Sequence, residues 1–152
     1  MINELRIAYG SQGGNAKNLA HTIGEQFSYK GLLNEVIDME SLGPENLEHT
    51  KYLLIVVSTY GDGEAPDNAS EWHSFLKFND QMDLGHLRFA VLGLGDTYYP
   101  HFCQCAKDFD QYLEFHGAKR LATRLDCDLY YEDQYGEWLE GLTHSLIEDM
   151  KE

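Results

Sequence analysis

Apolar positions along the chain fall into two kinds of run. "LRIAY" (5–9), "NEVIDM" (34–39), "YLLIVVST" (52–59), "LRFAVLGLG" (87–95) and "KRLATRLD" (119–126) are short and aliphatic, and read as five strands. The run over 52–59 is apolar almost without interruption, as expected of a strand covered on both faces. Between these runs, apolar residues recur at helical spacing. One stripe is Ala16, Leu19, Ala20, Ile23 and Phe27; a second is Ala69, Trp72, Phe75 and Leu76; a third is Phe102, Ala106, Phe109 and Leu113; the last is Leu139, Leu142, Leu146 and Met150. Gly31 and Gly117 end the first and third helices, and Asp67 or Asn68 is placed to cap the second. "SLGPENL" reads as a loop or a short helix.

Strands alternating with helices predict an α/β domain: a five-stranded parallel sheet covered on both sides, joined by right-handed crossovers. No repeat, linker or low-complexity segment divides residues 1–152, so one domain is expected. In such sheets ligands bind at the carboxyl ends of strands, where the strand order switches. The loops after the first, third and fourth strands meet there, and all three carry chemistry.

The first loop, "YGSQGGNAKNLA" (9–20), has glycines at 10, 13 and 14. It is neither a Walker A nor a G-x-G-x-x-G loop. Without a ligand it is a tight β–α turn. With one, its backbone N–H groups and the helix start can hold a dianion without a cation. Ser11 adds a hydroxyl and Asn15 an amide; Lys17 lies one turn inside the helix. The second loop, "STYGDGEAPDN" (58–68), joins small hydroxyls, Gly61, Gly63 and an aromatic, Tyr60. The third, "GLGDTYYPHFC" (93–103), repeats the theme with Tyr98 and Tyr99. One phosphate loop and two glycine–aromatic loops describe a mononucleotide with an extended flat base.

Composition narrows the field. Eleven basic against 26 acidic residues give a net charge of −15, which argues against nucleic acid, whose phosphates need cations. No apolar run approaches a membrane span, and the first residues lack the basic start and cleavage site of a signal peptide. Three cysteines (103, 105, 127) predict reduced thiols and a cytoplasmic setting. The seven histidines show no metal-binding spacing, so no metal site is expected.

The motifs "SQGGNA" (11–16), "STYGDGEAPDN" (58–68) and "LGDTYYPHFCQCAKDFD" (94–110), with the Trp138 region, resemble the flavodoxin family. The resemblance covers the whole chain and is strongest toward the FMN-binding domain of diflavin reductases of the sulfite reductase flavoprotein type. It implies a flavodoxin-like three-layer sandwich with strand order 2-1-3-4-5 and non-covalent FMN. Ser11, Gln12, Gly13, Gly14, Asn15 and Ala16 would hold the phosphate. Ser58, Thr59, Tyr60 and Gly61 would border the flavin ring, Tyr60 against one face. Leu94, Gly95 and Asp96 would line the pyrimidine side, with Tyr99 on the other face and His101, Phe102 and Cys103 at nearby contact positions. Asp128 falls beside the cofactor in a looser alignment. Gly13 stands where the family usually has Thr, which removes a hydroxyl donor. No FAD and NADPH domain follows Glu152 and the last strand lacks the long-chain insertion, so a short-chain, stand-alone carrier, or an isolated domain or subunit, is expected.

The function so implied is electron transfer by FMN between a reductase and an acceptor protein, with no catalytic residue on a substrate. Asp62, Glu64, Asp67, Asp96, Asp126 and Asp128 would oppose negative charge on the reduced cofactor and dock basic redox partners, the chain acting as a monomer. One rival is an FMN-dependent NAD(P)H or quinone reductase, but no basic residue in the three loops greets a pyridine nucleotide phosphate. Another is a cofactor-free interaction module. A phospho-receiver would need acids where Tyr9-Gly10-Ser11 and Ser58-Thr59 stand.

Overall fold

The structure is a computed structural model that describes residues 5–11, 13–59, 65–96, 98, 100–101, 103–128 and 131–151. In chain order it contains β1 (Leu5–Gly10), α1 (Asn15–Tyr29), β2 (Asn34–Asp38), the short α2 (Met39–Leu42), β3 (Tyr52–Ser58), α3 (Ser70–Phe78), β4 (Arg88–Leu94), α4 (Gln104–Phe115), β5 (Lys119–Arg120), β6 (Leu125–Cys127) and α5 (Gly136–Met150). Short 3-10 segments lie at Pro44–His49, Asp67–Ala69 and Tyr131–Asp133. All strand pairs are parallel, in the order β2-β1-β3-β4-β5, with β6 also on β4. The expected strand order 2-1-3-4-5 is therefore present, with its last strand in two pieces.

The period of two along β3 builds both halves of the core. Leu54 and Val56 point to one face, where Leu19, Ile23 and Phe27 of α1 and Leu139, Leu142 and Leu146 of α5 cover them. Leu53, Ile55 and Val57 point to the other, under Trp72 and Leu76 of α3 and Phe109 and Leu113 of α4. Each such side chain contributes about 1.5–3 kcal/mol by leaving water. A strand so placed must be apolar at every position, as its sequence is.

Two expectations need correction. The strand expected over 119–126 is broken at Leu121–Arg124. Leu121 N–H still donates to Phe89 O (2.8 Å), but the Trp138 indole N–H takes Thr123 O (2.7 Å), drawing that carbonyl toward α5. Neither Asp67 nor Asn68 caps α3, which starts from the 3-10 turn Asp67–Ala69 with no side-chain cap. Asn68 reaches instead to the loop after β1.

Candidate functional site

The switch point lies between β1 and β3, and the loops that follow them open side by side. β1 ends on Gly10, where a Cβ would stand 2.7 Å from Ala69 Cβ, so only glycine lets the strand end pass so close to the turn before α3. The chain then turns through Gly14, whose φ of +88° is left-handed, into α1. Ser11 organises this turn. Its Oγ accepts from Gly14 N–H (2.9 Å) and Ala16 N–H (3.3 Å), and its own N–H donates to Asn68 Oδ1 (3.0 Å). The N–H groups of Gly13, Asn15 and Lys17 find no hydrogen-bond partner among the described residues. They lie at the positive end of α1, which suits an anion. Gly13 and Asn15 are exposed and a Cβ on Gly13 would meet nothing within 4 Å, so the cradle is open on its outer side.

The other two loops are stitched into one floor. Thr59 N–H donates to Leu94 O (3.1 Å), and Gly95 N–H donates to Cys127 O (2.9 Å). The Thr59 hydroxyl accepts from Cys105 N–H (3.0 Å), tying the loop after β3 to the start of α4. Ser58 Oγ, at the end of β3, is buried without a hydrogen-bond partner among the described residues. A buried hydroxyl left unpaired is costly in a folded chain, and a polar group of a ligand at the strand ends would satisfy it. Together with the open N–H cradle, it fits a phosphorylated ligand with a polar ring.

The remaining candidates fall as follows. Leu94 is buried at the end of β4, and Asp96 closes a turn by accepting from Tyr98 N–H (2.9 Å). His101 is exposed, its carbonyl accepting from Gln104 N–H (3.0 Å). Cys103 takes a left-handed φ of +53° at the start of α4. Its thiol is fully buried and donates to Cys127 O (3.7 Å), which places the side chain in the core. Burial, with the nearby Asp126 carboxylate, pushes that thiol up to about 12. Asp128 is held by Gln134, which accepts from the Asp128 N–H (3.2 Å) and donates to Oδ1 (2.6 Å). Gln12, Tyr60, Gly61, Tyr99 and Phe102 lie outside the described residues, as do Asp62 and Glu64.

One acid expected at the cofactor rim is paired. Asp126 receives the Arg124 Nε at 2.8 Å and Nη2 at 3.2 Å, and Arg124 also reaches Asp110 Oδ2 at 3.4 Å. The hydrogen bond to Asp126 chiefly holds the Arg124 guanidinium above its ordinary range. Asn68 and Asp38 are the site residues that sequence reading missed. Asn68 closes the motif "APDN", but the contact that gives it a role spans 57 residues and has no local signal.

These features define a flavodoxin. The sequence profile of that family matches residues 7–138, and the chain belongs to the flavodoxin family, which implies FMN as cofactor. It is 48% identical over 145 residues to the sulfite reductase [NADPH] flavoprotein alpha-component of Bacillus subtilis, covering 95% of this chain and 24% of the relative. The protein of the same name from Photobacterium profundum is 41% identical over 135 residues, 89% of this chain and 22% of the relative. The chain thus spans about a quarter of the length of the curated relatives it matches. Among solved structures, the flavodoxin of Streptococcus pneumoniae TIGR4 superposes with a TM-score of 0.84 at 26% identity, over 96% of this chain and 99% of that one. Oxidised Flavodoxin 2 from Bacillus cereus gives 0.76 at 29% identity, over 95% of each chain.

Proposed function

We propose that this chain is an electron carrier, holding FMN without a covalent link and passing one or two electrons between a reductase and an acceptor protein. The bound flavin supplies the electron chemistry. The chain's own residues supply binding and field. The N–H groups of Gly13, Asn15 and Lys17 would receive the phosphate at the start of α1, with the Ser11 hydroxyl beside them. Ser58 Oγ would meet a polar group of the ring, and Leu94, Gly95 and Asp96 would border its pyrimidine side as the family motifs imply. Tyr60 and Tyr99 are assigned to its two faces by their motifs.

Asp96, Asp128, Glu132 and Asp133 lie on the loops at the carboxyl ends of β4 and β6. Their field opposes negative charge gained on reduction and steers a basic partner toward the rim. Asp126 is excluded from this set by its pairing with Arg124. A soluble monomer in the cytoplasm fits this role; among the described residues no helix is long and apolar enough to cross a membrane.

The observation that carries the reading is the set of open N–H groups at the β1–α1 turn, beside the switch point. The test is titration of apoprotein with FMN and riboflavin, followed by flavin fluorescence and the visible spectrum. FMN should bind at least about a hundredfold more tightly, roughly 2.7 kcal/mol. Equal affinities would show that this turn does not read phosphate. Steady NADPH oxidation by the chain alone would favour an enzyme over a carrier.

A further inference from the structure

Asn68 stands between two groups of opposite character. Its Oδ1 accepts from Ser11 N–H at 3.0 Å, and its Nδ2 donates to Asp38 Oδ2 at 3.2 Å. The other Asp38 oxygen accepts from Glu40 N–H at 2.8 Å, which fixes the carboxylate at the start of α2. A carboxylate only accepts and a backbone N–H only donates, so the amide has one satisfying orientation. Asp38 thereby aims the Asn68 oxygen at Ser11. Ser11 in turn gathers the Gly14 and Ala16 N–H groups on its hydroxyl, which sets the turn whose remaining N–H groups stay open. A steric contact runs parallel to this polar chain, because Ala69, next to Asn68, is fully buried and packs where Gly10 leaves room.

We infer that Asn68 is a positioning residue for the phosphate site, acting through the Ser11 backbone and oriented by Asp38. Asn68 also ends the loop after β3, so one side chain ties the loop assigned to the ring to the turn assigned to the phosphate. The inference rests on the reading of that turn as a phosphate site. Asn68→Ala removes the acceptor for a partly buried N–H and frees Ser11 to shift. The loss should fall on the phosphate and leave the ring contacts alone.

Apoproteins of the wild type, Asn68→Ala and Asp38→Asn are titrated with FMN and with riboflavin, and their thermal midpoints are compared. For Asn68→Ala, FMN affinity should fall by about tenfold, the size of one hydrogen bond to a polar group, while riboflavin affinity stays within about twofold. Asp38→Asn keeps the cap on α2 but no longer dictates the amide orientation, so a smaller loss confined to FMN is expected. Equal proportional losses for both ligands, or unchanged FMN affinity, overturn the inference, since a merely structural role moves both together. If Asn68→Ala does not fold, Asp38→Asn decides: an FMN-only loss supports the inference and unchanged FMN affinity overturns it. A wild type that binds FMN and riboflavin equally overturns the phosphate reading and this inference with it, a result visible before any variant is compared.

Discussion

The Arg124 guanidinium grips the Asp126 carboxylate through two hydrogen bonds, of 2.8 and 3.2 Å, at the carboxyl end of the sheet. Both side chains are mostly buried, at 22% and 20% exposure, and Arg124 continues to Asp110 on α4. The Arg124–Asp110 contact ties the start of β6 to α4, and the Arg124–Asp126 pair offsets one negative charge at the rim. Rim electrostatics therefore depend on how each acid is paired, not only on how many the sequence places there.

Substitutions at that rim should accordingly separate. Asp126→Asn should lower unfolding free energy by about 1–2 kcal/mol, as for a lost charge-assisted hydrogen bond, and leave partner docking alone. Glu132→Lys combined with Asp133→Lys should slow reduction by a physiological reductase and flatten its salt dependence. Stopped-flow rates across a salt series check this, and unchanged rates at low salt would remove the docking role.

Gly14→Asp should weaken FMN binding by well over about tenfold. It places a carboxylate beside the dianion and an L side chain at φ +88°. Gly14→Ala carries the backbone strain without the charge, so the difference between the two variants measures repulsion from the phosphate. Fluorescence titration reads both.

Tyr99→Ala should weaken FMN binding by about tenfold, since stacking adds roughly 0.5–1.5 kcal/mol to the area buried. Tyr98→Ala is the control, as the Tyr98 side chain is 85% exposed. If Tyr98→Ala does the damage and Tyr99→Ala does not, the assignment is off by one residue.

Acid stability should depend on Asp149. Burial alone would raise its carboxyl, but the Tyr52 hydroxyl at 2.7 Å, with Arg88 and Lys119, outweighs burial and holds it below the ordinary range. A depressed folded value stabilises the protein above the unfolded value of about 3.9, and that contribution is lost as pH falls through the folded value. Tyr52→Phe should therefore lose stability at neutral pH and show a flatter decline below about pH 4. Thermal midpoints between pH 2 and 7, on the order of ten points, check the slope.

The three cysteines, 103, 105 and 127, are free and buried. Burial raises all three thiols, Cys103 to about 12 and Cys127 to about 11. Native protein at mild alkaline pH should react with a thiol reagent only as fast as it opens, and unfolded protein should release all three at once. A fast-reacting thiol in the native state would contradict the burial of Cys103.

Much of the fold was legible because burial on two faces imposes local patterns. β3 had to be apolar throughout, and the stripes of α1, α4 and α5 had to recur every third or fourth residue. The break between β5 and β6 was not legible, because it depends on the Trp138 indole taking Thr123 O. The tight turn into α1 could be read from its glycines. The support from Asn68 could not, since an Asn after Pro and Asp reads equally well as a helix cap. The cancellation of Asp126 by Arg124 lies two residues away in sequence, yet strand geometry and the pull of Asp110 decide that pairing. Cys103 shows the converse: its motif position implies a contact, while its side chain belongs to the core.

The hydrogen bonds from Thr59 to Leu94 and from Gly95 to Cys127 carry the ladder one residue past β3 and β4, and Cys105 donates to the Thr59 hydroxyl from the start of α4. They act as a frame for the loop ends. Each bond joins the first residue of one loop to a neighbouring strand end or to α4, so the loops start from points fixed relative to one another. A change at Thr59 would therefore be felt in two loops and one helix at once, so the position of any one loop is inherited from its neighbours.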